Sequence, residues 1–275
     1  MATAGYYAGV LLKWLILVGT ALSTLGCMGS GLSPSVWPPS NFRIVVEELE
    51  TGGTSAHILR RWQVDASGLV VYGTSSKPLV DSESGASWPV FDRLSIYRLE
   101  PKCVRALSRR LDRLGISEIV VPSSAVANGE GPGLSVQWQA FGSKRVLPSY
   151  GRLRGPMAEI MAVIASHLPP GEAFEVEMTR PIVSVLHGVP APGLGGVDAL
   201  KAYRELIAQD PEDEQFVVAA FALACSVGER EQAEELLASW QWLKRSQPNR
   251  IGFQDDPDQA IDARIKSLSN LLPKR

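Results

Sequence analysis

The stretch Phe42–Tyr72, FRIVVEELETGGTSAHILRRWQVDASGLVVY, decides the fold class of this chain. Phe42, Ile44 and Val46 alternate with their neighbours, the period of a strand with one buried face. Thr51-Gly52-Gly53-Thr54 supplies a turn. Ala56, Ile58, Trp62 and Val64 are then expected on one face of a second strand, in a row that Arg60 interrupts. Asp65-Ala66-Ser67-Gly68 is a second tight turn, and Leu69–Tyr72 opens a third strand. Strands joined by turns this short pair as an antiparallel meander.

Downstream, Thr74–Pro89 reads as a polar loop and Arg93–Leu99 as a short extended segment. Pro101 suits the first turn of a helix. Over Lys102–Leu114, Val104, Leu107, Leu111 and Leu114 make an apolar stripe that Gly115 closes. Pro122–Gly133 is a further loop. Leu134–Phe141 and Lys144–Tyr150 flank Gly142-Ser143 as a hairpin. Pro156 opens a second helix with Met157, Ile160, Met161, Ile164 and Leu168 on one side, ended by Pro169-Pro170-Gly171. Phe174–Val185 is extended, and Pro190–Gly196 is a boundary rich in proline and glycine. The period then turns helical. Asp198 is expected to cap a helix carrying Leu200, Tyr203, Leu206 and Ile207. Phe216–Val227, Arg230–Lys244 and Pro257–Leu272 follow. The expected class is α+β: an antiparallel sheet covered by two helices, followed by a small all-α helical-hairpin region.

Ahead of the sheet, Leu11–Cys27 (LLKWLILVGTALSTLGC) reads as an export signal. Lys13 gives the charged flank and Trp14–Leu25 an apolar run of about a dozen residues, the length of a signal's hydrophobic region. That run falls short of the roughly 20 residues a spanning helix needs. Its ending, Ser23-Thr24-Leu25-Gly26-Cys27, resembles the lipobox of bacterial lipoproteins. The resemblance implies cleavage before Cys27 and a lipid on its thiol, with the body outside the cytoplasm. An uncleaved anchor and an ordinary signal with Cys27 incidental are the alternatives. The expected organisation is a signal over 1–26, a spacer over 27–41, the sheet-and-helix domain over 42–170, an extended segment and linker over 171–196, and a helical region over 197–275.

The order of pieces FRIVVEELETGG, WQVDASG, SIYRLEPKCVRALSRRLDRLGI and SVQWQAFGSKRVLPS with its closing helix resembles emfourin-type metalloprotease inhibitors and related small domains. It covers roughly Asn41–Leu168, and it implies a fold more than an activity. YRELIAQDPED and ALACSVGEREQAEELL resemble tetratricopeptide helix pairs, whose repeat is about 34 residues. One and a half repeats at most are present, fewer than the roughly three that stand alone, so this region is expected to pack on the sheet domain or on a partner.

The 275 residues carry a net charge of −2, which gives no general argument for nucleic-acid binding. Three cysteines make no disulfide framework. With Cys27 acylated, Cys103 and Cys225 read as buried free thiols. His57, His167 and His187 are too scattered for a metal signature, and no HExxH, GxSxG or Walker-type loop is present. His57 reads as a solvent-facing sheet residue, or as the base of an enzyme whose nucleophile is not identified. His167 at a helix end suits the dipole as an imidazolium. The acids of Asp210–Glu214 and Asp255, Asp256 and Asp258 precede helices and read as caps. Lys102, Arg105, Arg109 and Arg113 share the polar side of their helix. They form either a solvated face or a basic patch for anionic headgroups. No catalytic, cofactor-binding or metal residue is expected. The function expected is a non-enzymatic, membrane-tethered envelope lipoprotein that acts as a protein-interaction module, with protease inhibition as one form. Its partners would be membrane lipid through Cys27 and an envelope protein. The alternative is an extracytoplasmic hydrolase.

Overall fold

The computed structural model describes residues 38–50, 57–119, 133–150, 153, 155–169, 172, 174, 193–246 and 265–273. Cys27 and the signal, residues 122–132 of the expected Pro122–Gly133 loop, His187 and the Asp255–Asp258 acids lie outside the described residues, as does most of the extended segment after Phe174. Pro38–Arg275 is one compact unit.

Six strands form one antiparallel sheet. They are β1 (Arg43–Glu50), β2 (His57–Asp65), β3 (Leu69–Ser75), β6 (Phe91–Arg98), β7 (Gly133–Ala140) and β8 (Ser143–Tyr150), in the order β6-β3-β2-β1-β7-β8. The expected meander is β1-β2-β3, and β6 extends it. The expected hairpin β7-β8 joins through β7 beside β1, which makes β1 a central strand. The segment read as a polar loop holds a further small ladder, β4 (Leu79–Val80) against β5 (Ser87–Trp88).

On the first face, Ile44 and Val46 of β1, Trp62 and Val64 of β2, Val70 and Tyr72 of β3, and Leu134, Val136 and Trp138 of β7 meet two helices. These are α1 (Pro101–Arg113), through Val104, Leu107 and Leu111, and α2 (Gly155–Ala165), through Ile160, Met161 and Ile164. Burying each such large side chain contributes about 1.5–3 kcal/mol. Tyr97 ties this core together: its hydroxyl accepts from Trp62 Nε1 at 3.1 Å and donates to the His167 carbonyl at 2.7 Å.

The second face carries Val71, Phe91 and Leu94, and against it pack α3 (Gly196–Gln209), α4 (Glu214–Val227) and α5 (Arg230–Ser246). The helical region therefore shares a core with the sheet. The helix α4 lies between its neighbours with Phe216, Val217 and Ala219–Ala224 all buried, which is why its sequence is apolar nearly all round. It starts at Asp213, whose carboxylate accepts from Gln215 N, and stops at Gly228 in the left-handed region. The helix α3 differs from expectation: Gly195 takes the N-cap position without a side-chain bond, and Asp198 sits in the first turn. The helical residues 265–270 complete this layer through Leu268.

One expected face is corrected. A register shift in β2 leaves Leu59 without a partner, between Glu48↔Arg60 and Leu49↔Ile58. This bulge reverses the alternation. Ile58 therefore packs with the second core, while Trp62 and Val64 stay in the first. Arg60 does lie in the Trp62–Val64 row. It is tolerated there because it pairs with Glu48, which is fully buried.

Gly68 closes the β2–β3 turn at φ +81°, and a Cβ there would stand 2.6 Å from the Leu99 carbonyl oxygen. Gly142, in the β7–β8 turn at φ +76°, has nothing within 4 Å of that position. Gly68→Ala is expected to lose about 1–3 kcal/mol or more by urea unfolding. Gly142→Asn should stay within about 0.5 kcal/mol of the parent.

Candidate functional site

Beside the turn between α3 and α4, an open cleft of about 760 Å³ lies over the second face at one end of the sheet, lined by Arg43 of β1, Gln63 and Asp65 of β2 and Gln139 of β7, with Leu69 of β3 and Arg98 of β6 at its margin. Strand register sets its floor. Asp65, Arg43, Gln139 and Lys144 stand in one cross-strand row, and Gln63, Val45, Gln137 and Val146 in the next. Alternation points both rows away from the first core.

The charges of the cleft are largely paired within it. Arg43 Nη2 lies 2.7 Å from Asp213 Oδ2 and donates to Gln215 Oε1 at 3.2 Å, which ties β1 to the start of α4. Burial raises the Asp213 carboxyl above the usual carboxylate range, and the Arg43 guanidinium opposes the rise. Asp65 Oδ1 accepts from Ser67 N at 2.8 Å, Ser67 Oγ at 2.7 Å and Leu69 N at 3.2 Å, and Arg98 donates to the same Ser67 hydroxyl at 3.2 Å. Lys144 is held below its usual value, mainly by desolvation and then by Arg43.

The amides are less committed. Gln63 is 7% exposed and lines the cleft, and its side chain makes no hydrogen bond among the described residues. The half-buried Gln139 likewise makes none. Gln137 donates to Glu47 Oε2 at 3.3 Å, but its own buried Oε1 has no partner. Sequence reading missed all three, because glutamines on alternating strand positions look like an ordinary wet sheet face. The alternation itself was the available signal.

His57 stands across from Glu50 at the start of β2, on the bulged side of the strand. Both of its ring nitrogens are buried without a hydrogen-bond partner. Desolvation lowers its pKa, and Glu50 opposes that. Nearby on the first face, Arg60 pairs with Glu48, and the Tyr72 hydroxyl donates to Glu172 Oε2 at 3.0 Å. Burial and then Glu172 raise the Tyr72 pKa, so the phenol stays protonated. This cluster ties the segment after α2 to the sheet. His167 is buried, and its Nδ1 hydrogen-bonds the Val163 carbonyl at 2.9 Å. Desolvation lowers its pKa, so it is a neutral hydrogen-bond donor instead of the expected imidazolium.

Cys103 and Cys225 are free, and they pack against the first and second cores, on opposite faces of the sheet. Burial pushes the Cys225 thiol up to about 12. On α1, Lys102, Arg105 and Arg113 are exposed, Arg109 is half-buried, and Lys102 Nζ lies 2.7 Å from Glu100. Among the described residues no group of three or more metal-ligating side chains occurs, and no helix is long and apolar enough to cross a membrane. No protein-family model matches this chain, and no curated protein matches it.

Arg43→Met leaves the Asp213 carboxylate buried beside no cation. Because Arg43 keeps some contact with water, the loss at pH 7 is expected to be about 2–3 kcal/mol, under the 3–5 of a fully buried pair. Without the guanidinium, the folded-state pKa of Asp213 rises further above its unfolded value. The variant's folded state then holds a proton that its unfolded chain has released, and the penalty shrinks as pH falls toward about 4. Urea unfolding at pH 7 and pH 4.5 checks this.

Proposed function

We propose that this chain is an extracytoplasmic lipoprotein, tethered to a membrane through an acylated Cys27, whose α+β body is a protein-interaction module. The STLGC ending of the apolar run supports the tether. The observation that carries the interaction role is the open polar cleft between the sheet floor and the α3–α4 turn. Its lining combines apolar side chains such as Leu69 and Leu206 with a few polar groups, among them the amides Gln63, Gln139 and Gln209, the mix that ligand sites use for contact and orientation. Inhibition of a metalloprotease is one form this role could take. The exposed Lys102, Arg105 and Arg113 of α1 would add affinity for anionic headgroups within reach of the tether, roughly 1 kcal/mol per charge at the surface.

Intact-mass analysis of chain recovered from membranes should show Cys27 as the first residue, with added acyl mass. Cys27→Ser should abolish both the added mass and the membrane recovery. A photo-crosslinking residue at Gln209, on the rim of the cleft, should give one discrete adduct with an envelope protein, and the same probe at Glu118 should give none. Chain of full mass recovered from cytosol would end the tether proposal, and indiscriminate adducts from both positions would end the interaction role.

Paired Arg105→Glu and Arg113→Glu substitutions should lower binding to vesicles containing anionic lipid by about tenfold or more at low salt, and leave binding to neutral vesicles unchanged. Equal binding to both vesicle types in parent and variant would leave α1 as a plain solvated face.

A further inference from the structure

We infer that the floor of the cleft is a binding site for an extended, uncharged stretch of polypeptide, whose main-chain amides pair with the side-chain amides of Gln63 and Gln139. This rests on the interaction role proposed above and names its ligand class.

Several charged groups of the cleft are already engaged by neighbours. Arg43 is used by Asp213 and Gln215, Asp65 by Ser67 and Leu69, and Arg98 by Ser67. A charged ligand would have to compete with these bonds. Gln63 is different: it is more than nine-tenths buried, it opens into the cleft, and neither its donor nor its acceptor is used by a described residue. Its amide meets the water of the open cleft, and a ligand that supplies one acceptor and one donor side by side can take the place of that water without loss. A peptide group does this. Gln139 repeats the offer from β7, with β1 between it and β2. Neighbouring strands lie about 4.8 Å apart and the two residues stand in adjacent cross-strand rows about 6.8 Å apart, so their Cα atoms are about 12 Å apart across the floor, the reach of about four extended residues at about 3.3 Å each.

A sugar is the competing ligand for amide-rich surfaces. Such sites commonly add an exposed aromatic ring for the sugar to stack on. Here the two aromatic residues lining the cleft, Phe42 and Phe216, are buried in the cores beneath it, which favours the peptide.

The test is a titration of the 15N-labelled full chain in detergent micelles with the capped peptide acetyl-Ala-Ala-Ala-Ala-amide, followed through the side-chain NH2 signals of the glutamines. The Gln63 and Gln139 signals should shift together and saturate, while that of Gln232 on α5, which donates to Glu229, stays in place. Gln63→Leu should abolish saturation. Gln139→Leu, at a less buried position, should weaken it at least fivefold, so the outcome does not hang on whether one variant folds. Unmoved Gln63 and Gln139 signals overturn the inference, as does a saturable shift given by maltotriose and not by the peptide. The proposed tether and envelope cross-link are read separately. If they hold while the glutamine signals stay still, only the peptide assignment falls. If the signals move while the Gln209 probe yields no discrete adduct, the cleft binds peptide but the envelope role falls.

Discussion

Burial of β3 and β6 on both faces is the constraint on which the rest of this structure depends. Val70 and Tyr72 point into one core and Val71 into the other, and on β6 Leu94 belongs to the second core while Tyr97 joins the first. A strand in that position must present apolar side chains at successive residues, which is what Leu69-Val70-Val71-Tyr72 does. Once both faces are committed, the two helical layers are fixed to opposite sides of one sheet. The helices α3–α5 then acquire a surface to pack on.

The same arrangement explains where the polar chemistry collects. The α3–α5 layer is narrower than six strands, so β1, β7 and β8 keep a second face that it does not reach. There Arg43, Gln137, Gln139 and Lys144 stand among the valines Val45 and Val146. Arg43 and Asp213 mark the border, joining the uncovered floor to the first turn of the helical layer. The cleft is a consequence of this mismatch in width, and its charges are engaged in holding the two layers together. The first face shows the opposite solution. The half-buried Arg60 and the fully buried Glu48 neutralise each other there. A buried pair of this kind gives little net stability, but it makes any other register of β2 costly, since a slip would strand both charges.

Cysteine and histidine placement follows from the layers as well. Cys103 and Cys225 are separated by the sheet, so neither is a disulfide partner for the other. His167 is buried just past the end of α2, where desolvation, aided by the Arg110 charge, favours a neutral ring against the opposing pull of the Val163 carbonyl.

The sequence by itself determined the α+β class, the three-strand meander, the β7–β8 hairpin, the α1 stripe and the order of the helices. Each of these is written in local periodicity and in the placement of glycine and proline. It also marked Asp213 within a run of helix-capping acids. Three things were decided only in three dimensions: the phase reversal at Leu59, the seating of α3–α5 on the second face, and the convergence of Gln63, Gln139, Arg43 and Asp213 on one cleft. A bulge leaves no signature in composition. The choice of face depends on which apolar surface is still uncovered after α1 and α2 have docked. The cleft joins residues up to 172 positions apart, whose proximity arises from strand pairing and layer packing and from no pattern within any one segment.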